Sequence, residues 1–118
     1  PWIPPRELKW LEETLESSPF PCVIFIHHPL YAYVKNGHSY HVVNHMEVRK
    51  ALQSSGKVLA VLNGHMHEEM FHELNGIKYF ALNSMLEGTF VQRNCFYMME
   101  IRPDLMLLER YDRINQLD

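Results

Sequence analysis

Four histidines of this chain follow two short apolar runs: His27, His28, His65 and His67. The first pair comes directly after residues 23–26, and the second pair, spaced as Gly-His-x-His from Gly64, comes directly after residues 58–62. Neutral imidazole is a common nitrogen ligand for Zn, Mn and Fe, and a short Gly-His-x-His turn can direct two rings into one cavity. A single histidine at a strand end is more often structural than a ligand, but two such groups in this order favour a metal site.

The two apolar runs are predicted to be neighbouring strands of a parallel sheet. Residues 23–26 and 58–62 are continuously apolar, without the alternation of a half-exposed strand, so each is predicted to be buried on both faces. A helical pattern lies between them, and strand, crossover helix and strand form the usual parallel unit. The carboxyl ends of such strands share one sheet edge, where ligands collect in open α/β sheets. The two histidine groups are therefore expected to meet there.

Two amphipathic helices are predicted to cover this unit. The first begins at Pro4 and Pro5, where a missing N–H costs little, and carries leucines at helical spacing. Asn44 with Glu47 three residues later predicts a capping box at the start of the second helix, which ends before Gly56.

The rest of the chain is predicted to add antiparallel strands. Asn75 and Gly76 give a strong hairpin signal, and Pro103 with Asp104 predicts a second turn. Four further strands are predicted, over residues 70–74, 77–82, 90–101 and 105–111. The expected fold is of the α/β class, a layered α/β sandwich whose sheet is partly parallel and partly antiparallel.

Two segments resemble the last two signature blocks of the calcineurin-like metallophosphoesterase superfamily, which includes cyclic-nucleotide phosphodiesterases and purple acid phosphatases. They are FIHHPLY at residues 25–31 and LNGHMHE at residues 62–68. The resemblance implies a dinuclear site that hydrolyses phosphate mono- or diesters with two ions of Mn, Fe, Zn or Co. It implies that His27 and His65 bind one ion and that His67 binds the other. His28 stands at a variable place in its block, so it is expected to support the ligands or to face the substrate.

The earlier blocks of that superfamily, D-x-H, G-D-x-x-D and G-N-H-D/E, do not occur in this sequence. We therefore expect residues 1–118 to be the C-terminal portion of a single metallophosphoesterase domain, with the catalytic residues on a missing N-terminal half. Alone, the chain is expected to be inactive and to self-associate or pair with that half. The opening Pro1-Trp2-Ile3-Pro4-Pro5 is linker-like. A cytoplasmic location is favoured, with a signal peptide left open.

The loop over residues 30–43 is predicted to face the substrate. Its candidates for contacting a phosphate ester are Tyr31, Tyr33, Lys35, His38, Tyr40 and His41, since function often lies on such loops. The alternative, a solvated loop whose tyrosines cover the core, has about equal weight. Glu68 and Glu69 are either hydrogen-bond acceptors for ligand imidazoles or solvated side chains.

Composition excludes several other classes. A net charge of −3 with scattered basic residues argues against a nucleic-acid partner, and no apolar run is long enough to span a membrane. Cys22 and Cys95 lie in apolar segments and are predicted to be core thiols rather than a disulfide. A closed structural zinc site is disfavoured because no C-x-x-C occurs. The remaining alternative is a non-catalytic interaction module on the same scaffold.

Overall fold

The computed structural model describes residues 1–84 and 95–112. Two helices and eight strands lie within them: α1 (Pro5–Ser17), β1 (Cys22–Ile26), β2 (Val34–Lys35), β3 (His38–Ser39), α2 (His45–Ser55), β4 (Val58–Asn63), β5 (Met70–Leu74), β6 (Ile77–Ala81), β7 (Cys95–Ile101) and β8 (Met106–Asp112). No helix among these residues is long and apolar enough to cross a membrane.

One mixed sheet organises the molecule, with strand order β1-β4-β6-β5. β4 pairs in parallel with both β1 and β6, whereas β5 pairs antiparallel with β6 through the turn at Asn75 and Gly76. The predicted parallel unit and the predicted hairpin are therefore both present. The strands β2–β3 and β7–β8 form separate two-stranded ribbons.

The hydrophobic core lies between this sheet and the two helices. α1 contributes Leu15 and α2 contributes Leu52, both at most 1% exposed, and the central strands contribute Val61 and Tyr79. The apolar stripe of each helix faces the sheet because its apolar residues recur at helical spacing. This packing fixes the sheet edge on which the histidines lie.

The prediction that residues 23–26 are buried on both faces is wrong. β1 is an edge strand of the sheet, and Phe25 is 74% exposed, while Ile24 and Ile26 pack against the core. The adjacent strand β4 is buried almost throughout, with Ala60 and Val61 at 0% exposure. A continuous apolar run thus describes both an edge and a central strand.

The predicted capping box is also wrong. Asn44 precedes α2, but its side chain makes no capping hydrogen bond to the helix. Instead, its Oδ1 accepts a hydrogen bond from Ile3 N, and its Nδ2 donates to Ile3 O and to Glu47 Oε2. The side chain therefore ties the segment before α1 to the start of α2. Gly56 ends α2 in the left-handed conformation, at φ 65°.

The last two strands agree with prediction where they are described. β7 and β8 are antiparallel and join near Pro103, while residues 90–94 of the predicted strand lie outside the described residues. Cys22 and Cys95 are free thiols, as predicted.

Candidate metal centre

Parallel pairing brings the two histidine groups to one sheet edge. β1 ends at Ile26, which is the register partner of Asn63 at the end of β4. His27 and Gly64 therefore follow neighbouring strand ends, and a Cβ added to Gly64 would lie 3.9 Å from His27 Nδ1. At that distance a β-carbon would make an ordinary van der Waals contact with the His27 ring, so position 64 lies directly against His27.

Three histidines form a cluster at this edge: His27, His28 and His65. One ring nitrogen of each lies within 4.8 Å of the others, and His27 Nε2 is 3.2 Å from His65 Nδ1. Nitrogens that share one ion at about 2.0–2.1 Å are themselves about 3 Å apart, so this pair fits a common metal ion. Three imidazole nitrogens are also the donor type that Zn, Mn, Fe and Co accept.

The cluster differs in one member from the predicted ligand set. His28, predicted to support the ligands or face the substrate, occupies the third place. His67, predicted as a ligand, is exposed and does not join this cluster among the described residues. It is nevertheless close enough for its charge to contribute to the lowered pKa of His65. The ligand roles of His28 and His67 remain predictions.

The turn after β4 owes its shape to two left-handed residues. His65 and His67 have φ values of 66° and 54°, whereas Met66 between them is 9% exposed. Met66 N donates to Gly64 O at 2.8 Å, which closes the turn tightly. The result is an apolar side chain buried between two histidines that belong to the open side of the turn.

The surroundings of His28 and His65 favour their neutral imidazoles. Burial is the largest cause of the lowered pKa of His28, followed by the charges of His65 and His27. Burial is likewise first for His65, followed by the charges of His27 and His67. The neighbouring imidazoles thus disfavour protonation of His28 and of His65, and the neutral form is the one that binds metal.

The loop residues predicted to face the substrate have three different environments. Tyr31 is only 5% exposed and packs against His72, with ring centroids 4.5 Å apart. Its hydroxyl and Asn63 Oδ1 are buried without a partner of hydrogen-bond geometry among the described residues, and burial raises the pKa of Tyr31. His41 Nδ1 accepts a hydrogen bond from Tyr33 N at 3.0 Å. His38 is exposed on β3.

The two glutamates after His67 bind different parts of the molecule. Glu68 accepts hydrogen bonds from Tyr33 and Lys35 in the loop over residues 30–43. Glu69 accepts hydrogen bonds from Tyr97 and from Arg110, both on the β7–β8 ribbon. Among the described residues, neither carboxylate contacts a histidine of the cluster.

Tyr40, one of the loop residues that the sequence predicted to face the substrate, is a neighbour of the cluster. Its ring centroid lies 5.8 Å from that of His65. Tyr40 is brought there by the β2–β3 ribbon, whose turn contains Asn36 and Gly37, both at positive φ. Asn-Gly is the signal that predicted the later hairpin, so the same signal could have found this one.

Comparisons with known proteins connect this arrangement to a described fold. No protein-family model and no curated protein matches the chain. Among solved structures, the chain is similar to a dimetal phosphatase from Danio rerio, with a TM-score of 0.78 and 22% sequence identity. The match covers 94% of this chain and 36% of the other. The chain therefore spans little more than a third of that protein. At this identity, the likeness establishes the fold and confirms the predicted α/β class.

Proposed function

We propose that this chain forms one side of a dinuclear metal site in a phosphoesterase that hydrolyses phosphate mono- or diesters. The observation that carries the proposal is the 3.2 Å separation of His27 Nε2 and His65 Nδ1, on a fold shared with a dimetal phosphatase. The two residues are 38 positions apart in sequence and meet only through the pairing of β1 with β4.

The proposed roles of His27, His65 and His67 follow the resemblance of the two histidine blocks, and that of His28 follows its place in the cluster. His27 and His65 hold one ion, and His67 reaches the second ion from the exposed side of the same turn. His28 lies in the cluster and either completes the first ion's ligands or contacts the substrate phosphate. When bound, two such ions lower the pKa of a metal-bound water and neutralise charge on the phosphate oxygens. Mn, Fe, Zn and Co all suit imidazole donors.

The remaining ligands are proposed to come from sequence outside this chain. Three or four histidines cannot fill two coordination spheres, and a bridging carboxylate is the usual addition in two-metal hydrolases. The described part of the chain places no Asp or Glu in the histidine cluster. A companion segment bearing carboxylates would thus complete the site, and residues 1–118 alone would be inactive.

The test is the His65→Ala variant of the full-length protein. We expect loss of metal and a fall of at least about 100-fold in bis(p-nitrophenyl) phosphate hydrolysis, because removing a ligand costs more than the 10–100-fold typical of supporting residues. Metal content is measured by mass spectrometry. His72→Ala is the matched control, since His72 lies on β5 outside the cluster.

The same variants separate the remaining assignments. Metal loss in His67→Ala but not in His28→Ala would support the predicted ligand set, and the reverse would favour the geometric cluster. A full-length protein that binds metal but hydrolyses no phosphate ester would favour the non-catalytic interaction module. Metal binding and hydrolysis unchanged in His65→Ala would contradict the proposed function.

A further inference from the structure

The β2–β3 ribbon lies beside the histidine cluster, and the chain comes back to the cluster directly after β3. Tyr40 follows β3, and its ring lies 5.8 Å from the His65 ring. Tyr40 N donates to Tyr33 O at 3.1 Å, so the base of the ribbon is closed by a backbone hydrogen bond. The position of Tyr40 at the cluster therefore depends on how Tyr33 is held.

Tyr33 is held from three directions. His41 Nδ1 accepts a hydrogen bond from its backbone N–H, and Tyr40 N–H donates to its carbonyl oxygen. Its hydroxyl donates to Glu68 Oε2 at 2.8 Å. Of the three hydrogen bonds, this one joins Tyr33 to a residue outside the loop over residues 30–43. Glu68 directly follows His67 in the turn after β4. That third contact joins the ribbon to the turn that carries two predicted ligands.

Glu68 uses both carboxylate oxygens on this ribbon. Oε2 accepts from Tyr33, and Oε1 pairs with Lys35 Nζ. The contact with Lys35 is an ion pair, and the contact with Tyr33 is a hydrogen bond from its hydroxyl. Because Lys35 forms an ion pair with Glu68, the positive charge of Lys35 is already neutralised when a phosphate approaches.

We propose that Glu68 is a positioning residue, which anchors the β2–β3 ribbon through Tyr33 and Lys35 and so places Tyr40 as a wall of the metal site beside His65. We call Glu68, Tyr33 and Lys35 the Glu68 anchor. That the wall bounds a phosphate ester rests on the proposed function, whereas the anchoring rests only on the contacts above.

Hydrogen–deuterium exchange of the full-length protein tests the anchoring without any activity measurement. In Glu68→Gln, we expect the peptide over residues 33–40 to exchange about three- to tenfold faster, because an exposed ion pair and one charged hydrogen bond are lost. Glu69→Gln is the matched control: it removes the same charge one residue later, from contacts with Tyr97 and Arg110. It should leave this peptide unchanged.

A double-mutant cycle and steady-state kinetics complete the test. Tyr33→Phe should accelerate exchange in the same peptide. Glu68→Gln added to Tyr33→Phe should have less than its full effect, because both variants act on the hydrogen bond between Tyr33 and Glu68. With bis(p-nitrophenyl) phosphate, Glu68→Gln should retain its metal and raise KM several-fold, with a smaller change in kcat.

The outcomes separate this proposal from the function on which it partly depends. Unchanged exchange in Glu68→Gln, or equal acceleration in Glu69→Gln, would overturn the anchor. If the wild-type protein hydrolyses no phosphate ester but Glu68→Gln still accelerates exchange of residues 33–40, the Glu68 anchor is confirmed. Only the contact of Tyr40 with a phosphate ester is then contradicted. If Glu68→Ala fails to fold, the Gln and Phe variants still decide the question.

Discussion

β1 and β4 both contain a continuous apolar run, and they pair with each other in parallel. Each strand is followed by histidines of the candidate site. Their exposures nevertheless differ: Leu62 of β4 is 3% exposed, while its register partner Phe25 of β1 is 74% exposed. Among the strands of residues 1–84 and 95–112, β4 has a hydrogen-bonded neighbour on each side, and β1 has one. Side-chain type alone therefore does not determine how far an apolar residue of this sheet is buried.

The largest effect is expected at the centre of β4. Leu62→Ala should lower the free energy of unfolding of residues 1–118 by about 2–5 kcal/mol, because a buried leucine leaves both lost burial and a cavity. Urea unfolding followed by circular dichroism measures this change. A loss below about 1 kcal/mol would show that β4 is not the tightly packed strand.

A second effect is expected at the free edge of the sheet, where we propose that residues 1–118 alone self-associate. An unpaired strand edge beside an exposed phenylalanine is a surface on which chains pair. Phe25→Ser should weaken association at least about tenfold, since burying such a side chain contributes about 1.5–3 kcal/mol. Light scattering over a range of concentrations measures it.

Phe20→Ser is the control for that experiment. Phe20 is 72% exposed, almost as much as Phe25, but it lies before β1 rather than in the sheet. Equal weakening of self-association by both substitutions would indicate nonspecific hydrophobic association instead of a contact at the sheet edge. A concentration-independent monomer of wild-type residues 1–118 would contradict the proposed self-association altogether.

The smallest effect is expected at Leu59, which lies in the same strand as Leu62 but is 40% exposed beside a register shift. Leu59→Ala should cost about 1 kcal/mol or less, because partly exposed leucines lose little burial when truncated. Urea unfolding followed by circular dichroism gives the change in unfolding free energy for both Leu59→Ala and Leu62→Ala. If Leu59→Ala and Leu62→Ala cost the same, exposure would not explain how much an apolar residue of β4 stabilises the fold.

The approach of His27 to His65 could be predicted from sequence because it depends on order along the chain. Strand, helix and strand form a parallel pair, and residues that follow parallel strands lie at one edge. The 3.2 Å contact between their ring nitrogens confirms that step. The α/β class followed from the same pattern.

The features that the sequence pattern missed depend on contacts between distant residues. The exposed face of β1 depends on strand order, and the lost capping box depends on Ile3, which competes for the Asn44 side chain. His67, which the cluster leaves out, lies in a turn whose left-handed backbone the apolar pattern does not show. None of these appears in local periodicity.

That backbone has a consequence for how substitutions at positions 65 and 67 should be interpreted. Side chains other than glycine are disfavoured at φ 66° and 54°, and β-branched residues are disfavoured most, while glycine and asparagine adopt such angles more readily. In a saturation scan, valine or isoleucine would lower protein abundance as well as remove an imidazole. Glycine and asparagine would remove the imidazole while leaving the turn least disturbed. The difference between these two groups would separate tolerance of the turn's shape from the need for a ring nitrogen.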